Sequence, residues 1–156
     1  MGLGRIFKGA IVACVLWTGA AGAETAEKLL AQGTQYWTEQ KLELAEQQFK
    51  AAIALAPDSP EAHQRLAALY LSQNKNKQAI EEYQTAITLQ PDNPALFAAI
   101  CLAYLHEGAY SASQAMCSQA LELDPESENV LKLQQYIDAK MEAENSLLRE
   151  NHPPAE

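Results

Sequence analysis

Glycine and aromatic residues are scarce in this chain of 156 residues: there are seven glycines, and Phe, Tyr and Trp together make up 7%. Phosphate-cradling loops and nucleophile elbows need glycine where the backbone turns sharply or approaches a ligand, and neither motif occurs. Positive charge is thin as well. Eleven Lys and Arg stand against twenty Asp and Glu, for a formal charge of −9, and no basic run is present. Neutralising phosphate takes clustered Lys and Arg, so nucleic acid and anionic membrane surfaces are not expected as partners. The three histidines, His63, His106 and His152, lie far apart, and none stands with Cys or carboxylates at metal-ligand spacing. They read as surface or groove residues. No metal, no cofactor and no catalysis are expected, since the remaining carboxylates of an acidic helical chain are ordinarily solvated surface.

What the chain does contain is Ala, Leu, Gln and Glu, which are good helix formers, within a composition that is 48% hydrophobic. An all-α fold follows, with length for one domain or one short stack. The first residues form a separate unit. Arg5 and Lys8 precede an apolar run from Gly9 to Trp17, and small residues end at Ala21-Gly22-Ala23. This is the pattern of a secretory signal peptide over 1–23, cleaved before Glu24. As a helix, the stretch from Gly9 to Ala23 spans only about 22 Å against a hydrocarbon core of about 30 Å. Cleavage and export to the periplasm or another extracytoplasmic compartment are therefore expected over the alternative, an uncleaved membrane anchor. After cleavage no association with a membrane is expected.

Prolines carry a period. Pro57, Pro91 and Pro125 are spaced by 34 residues, as are Ser59, Asn93 and Ser127 behind them. Each of these prolines ends the helix before it. Ser59-Pro60 and Asn93-Pro94 then supply an N-cap oxygen and a proline at the first helical position, so the phrase means stop, turn and restart. Between the stops lie paired amphipathic runs, such as Leu66, Ala67, Tyr70 and Leu71 followed by Ala79, Ile80, Tyr83, Ala86 and Ile87. Gly108 is a natural left-handed residue between the two helices of the third pair. A lone hairpin cannot bury both faces, whereas stacked hairpins share a continuous core.

On these residues the chain resembles the tetratricopeptide repeat (TPR) family, whose unit is a 34-residue helix-turn-helix. Gly33, Ala67 and Cys101 fall on the small position of the first helix, and Tyr36, Tyr70 and Tyr104 on its aromatic. Ala45 and Ala79 take the small position of the second helix, Phe49 and Tyr83 its aromatic, and Ala52, Ala86 and Ala120 the late alanine. The third unit departs at Ser113 and Cys117, which is expected to weaken its packing. The resemblance implies a right-handed superhelical α-solenoid of three repeats, 26–59, 60–93 and 94–127 within 24–127. A helix over 128–150 with Val130, Leu133, Ile137 and Met141 on one stripe would cap it, or dock on another chain, and 151–156 reads as a disordered tail.

The resemblance further implies a concave groove, lined by the first helix of each repeat, that holds a peptide or helix of a protein partner. By position its residues are Leu30, Thr34, Trp37, Gln64, Arg65, Ala68, Leu71, Ala98, Leu102 and Leu105. Family members that clamp a terminal carboxylate use Lys, Arg and Asn here; only Arg65 qualifies. The same leucines read equally as inter-repeat core. The expected function is a non-catalytic scaffold or adaptor of the cell envelope, and the alternative is a self-associating structural subunit of an envelope, secretion or pilus assembly complex. Cys101 and Cys117 sit on opposing helices at similar distances from Gly108, either as a disulfide or as two small core residues.

Overall fold

The computed structural model describes residues 25–151, so the leader expected at 1–23 and residues 152–156 of the expected tail lie outside the described residues. Seven helices and no strand occur among the described residues. The first, α1, is helical over 25–38. It is followed by α2 (Leu42–Leu55), α3 (Pro60–Ser72), α4 (Asn76–Leu89), α5 (Pro94–His106), α6 (Tyr110–Leu123) and α7 (Glu128–Asn151). From α2 onward every helix packs on the next in the chain, α1 meets α2 through Trp37 and Phe49, and α3 and α5 also touch, as do α5 and α7. That pattern is a solenoid, in which each unit meets only its neighbours.

The starts of α3 and α5 follow from their caps. Ser59 Oγ accepts from the backbone N–H of Ala62 at 3.3 Å, Asn93 Oδ1 accepts from that of Ala95 at 3.0 Å, and Pro60 and Pro94 open the helices. Each first helix ends on one left-handed residue, at the same place in every repeat: Gln40 (φ 60°), Asn74 (φ 57°) and Gly108 (φ 72°). The next amide in each case reaches back to a tyrosine carbonyl: Lys41 to Tyr36 at 2.8 Å, Lys75 to Tyr70 at 2.9 Å and Ala109 to Tyr104 at 3.0 Å. These are three Schellman closures. Only the third shows its glycine in the sequence.

The core runs unbroken through the first two repeats and into the third, from Ala26 and Leu30 through Phe49, Leu66 and Tyr83 to Leu96 and Ile100. A second cluster joins Cys101, Cys117 and Ala120 to Val130 and Ile137 of α7, so the terminal helix closes the open end of the stack. The third repeat is not loosened by its two departures. Cys117 is bonded to Cys101 with the Cα atoms 5.4 Å apart, and the buried Ser113 hydroxyl donates to the Cys101 carbonyl at 2.7 Å. Both substituted residues are tied to one residue of the opposing helix.

Reading His63 as a surface or groove residue is corrected by the structure. It is 8% exposed, with Nδ1 2.7 Å from Glu82 Oε2 and Nε2 3.0 Å from the carbonyl of Pro57. Each ring nitrogen thus has an oxygen neighbour. The imidazole thereby ties α3 to α4 and to the turn before α3. Aligning the copies at 34 residues sets His63 beside Leu29 and Phe97, a column of large apolar side chains that marks an inward position.

Candidate functional site: a trough between the first helices

The helices that begin each repeat stand side by side, and their exposed faces form a trough. Its first concavity, of about 410 Å³, is lined by Glu27, Leu30, Ala31 and Thr34 of α1 and by Glu61 and Arg65 of α3. A second, of about 840 Å³, shares Glu61 and Arg65 and adds Trp37, Gln64, Ala68 and Gln90, together with the Ser59-Pro60 start of α3. The i, i+3 and i, i+4 spacing of a helix aligns Leu30, Thr34 and Trp37 on one wall and Glu61, Gln64, Arg65 and Ala68 on the other.

Several of these side chains are already engaged. Thr34 Oγ1 donates to the Leu30 carbonyl at 2.9 Å, one turn back along α1. The Trp37 ring meets Phe49 edge-on, with centroids 6.5 Å apart at 83°, which fixes the indole against the core. Arg65 donates to Glu61 Oε1 at 3.2 Å across one turn of α3. Leu30 is 7% exposed and belongs mainly to the core, contributing only an edge to the trough.

Of the ten groove positions expected from the sequence, Leu30, Thr34, Trp37, Gln64, Arg65 and Ala68 line these two concavities. The other four line neither. Leu71 packs on the first core cluster, Ala98 and Leu105 pack on the second, and Leu102 is half-buried on α5 between them. Sequence reasoning did not single out Glu27, Glu61 or Gln90. Glu61 and Arg65 at i, i+4 were a readable signal; Gln90 enters from the turn before α5, which only the stacking decides.

A second polar cluster lies away from the trough and ties the first repeat to the next. Glu46 of α2 accepts from Lys50 Nζ at 2.7 Å and from the Tyr70 hydroxyl at 3.0 Å, and Lys75 Nζ stands 3.5 Å away. The hydrogen bond from Lys50 lowers the Glu46 pKa against the opposing effect of burial, with Tyr70 and Lys75 acting in the same direction as Lys50. Among the described residues no group of three or more His, Cys, Asp or Glu is placed to hold a metal, and no helix is long and apolar enough to cross a membrane.

Stacked two-helix units with a concave face built from alternate helices define a helical-repeat scaffold of the protein-interaction class. Two tetratricopeptide repeat models match the chain, one over residues 30–94 and one over 71–137. The chain belongs to the tetratricopeptide repeat family. No curated protein matches it. Among solved structures it is similar to the first TPR domain of Spaghetti (RPAP3) bound to the HSP90 peptide SRMEEVD, at 17% identity and a TM-score of 0.73, covering 76% of this chain and 94% of that one. The Sgt2 TPR domain from Aspergillus fumigatus is 20% identical with a TM-score of 0.73, covering 84% and 86%. The second TPR domain of human RPAP3, in complex with the HSP70 peptide SGPTIEEVD, is 20% identical with a TM-score of 0.69, covering 77% and 98%. At these identities the likeness is one of fold.

Proposed function

We propose that the protein is a non-catalytic adaptor that holds a peptide or helical segment of a protein partner in the trough between α1 and α3, bounded by the turn before α5. The observation that carries this reading is the continuity of the two concavities through Glu61 and Arg65, giving one elongated surface rather than a closed pocket. Solved relatives in fold that hold peptides support it. An extracytoplasmic setting completes the proposal. It is supported by the leader-like 1–23 and by the Cys101–Cys117 disulfide, a bond that persists in oxidising compartments.

The test is copurification from the protein's own cells of tagged wild-type chain and an Ala68→Arg variant checked for unchanged helicity. Ala68 is half-buried on the trough wall, so a long cation there fills the larger concavity. One extracytoplasmic protein recovered with the wild type and lost with the variant supports the adaptor. Equal recovery with both rules out the trough as the docking surface.

A second reading, self-association, rests on α7. At about 36 Å it outruns α6, about 21 Å long, and its far end carries Leu147 and Leu148 at 59% and 58% exposure. A second copy would cover them. Light scattering on the wild type and on a Leu147→Glu/Leu148→Glu variant decides this: a dimer that the variant splits supports it, and a monomeric wild type removes it.

A further inference from the structure

The trough is acidic at one end and uncharged at the other. Among the side chains lining its two concavities, Glu27 and Glu61 are acids and Arg65 is the base. Arg65 is already held by Glu61 at 3.2 Å. An acidic ligand would have to take the guanidinium from Glu61, and two carboxylates would then face the newcomer. Like charges brought together at an interface repel, so that exchange is unfavourable. A cation meets the lining's excess of carboxylate, Glu27 and Glu61 against the single guanidinium. The Glu61–Arg65 pair is solvent-exposed on both sides, at 58% and 43%, and pairs of that kind contribute little stability, so Glu61 can turn to a new partner at small cost. The chain's formal charge of −9 adds a field that draws cations in.

Towards α5 the character changes. Trp37 and Ala68 give the two walls of the larger concavity apolar patches that face each other across it. The other polar side chains of its lining, Ser59, Gln64 and Gln90, are without charge. Resting on the reading of the trough as a peptide site, we infer that its occupant is a short protein segment with apolar side chains and at least one Lys or Arg. The apolar side chains lie over Trp37 and Ala68, and the cation meets Glu61 and Glu27. Acidic segments, such as the peptides SRMEEVD and SGPTIEEVD held by the Spaghetti and RPAP3 domains, are rejected.

A random peptide display library selected on the immobilised full chain tests this, with Ala68→Arg and Glu27→Gln/Glu61→Gln variants beside it. The expected result is enrichment of apolar peptides carrying Lys or Arg. Their binding weakens about tenfold or more in the double Gln variant and as salt rises. Both Glu side chains are exposed, so the variant keeps its fold, which circular dichroism checks. Acidic or charge-indifferent winners whose binding Ala68→Arg abolishes would overturn the charge assignment and leave the peptide site standing. No enrichment over Ala68→Arg would overturn the peptide site and the assignment with it.

Discussion

Cys117 stands to Cys101 as Phe49 stands to Gly33. Each pair joins the second helix of a repeat to its first across a separation of 16 residues, and Tyr83 with Ala67 holds the same place between them. In the first repeat the contact is a ring over a residue without Cβ: a Cβ on Gly33 would lie 2.6 Å from Phe49 Cε1. In the third, two small residues meet at one position and a covalent bond replaces the ring. One geometric demand, close approach of two helices, is met by three chemistries.

Replacing both Cys101 and Cys117 with Ala is expected to lower stability by roughly 3 kcal/mol, the chain-entropy value for a loop of this length. The loss falls on the second core cluster. Hydrogen exchange should show protection dropping in α5, α6 and α7 while α2 to α4 keep theirs, and urea unfolding of the wild type with and without dithiothreitol should reproduce the difference. Equal midpoints in the two conditions would refute it.

Gly33→Ala is expected to cost about 1–3 kcal/mol, the range for overpacking a filled core, because the new methyl meets a fully buried ring. Gly108→Ala is a contrasting case. A Cβ there meets no atom within 4 Å, so only the left-handed φ of 72° opposes it, for about 1 kcal/mol. Urea midpoints of the two variants should fall in that order.

Acid should loosen the joint between the first and second repeats. The Glu46 pKa is lowered from its ordinary 4.5, chiefly by the hydrogen bond from Lys50, so the folded state holds this proton less readily than the unfolded chain. The resulting stability is complete above pH 4.5 and is lost as the pH falls through the lower folded value. Glu46→Gln should remove that part of the acid dependence and lower stability at neutral pH by about 1 kcal/mol. An unchanged acid unfolding curve in the variant would count against the cluster.

Alkali should act on the second repeat. Burial pushes the Tyr83 hydroxyl up to about 12, so the folded state keeps its proton where the unfolded chain would lose it at 10. Stability from this group is full below pH 10 and is lost as the pH rises towards 12. A spectrophotometric titration should show a late phenol step that disappears in Tyr83→Phe, and that variant should resist alkaline unfolding better than the wild type.

The sequence by itself determined the period, the starts of α3, α5 and α7, and the family. Prolines, cap residues and apolar spacing act within a few residues, and the forces they express, steric exclusion and local hydrogen bonding, are complete at that range. Ser59 and Asn93 could be read as caps because their partners lie three and two residues away respectively. Gly108 revealed its left-handed turn because glycine adopts that conformation freely, whereas Gln40 and Asn74 adopt it with a Cβ and signal it less strongly. Tertiary structure alone decided the rest. It buried His63 between Glu82 and Pro57, separated trough from core among the ten groove positions, and brought Glu27 towards Glu61 and Arg65 from another repeat. Those outcomes depend on how far one hairpin is displaced on the next, a quantity set by many side-chain contacts across the stack and by no single local signal.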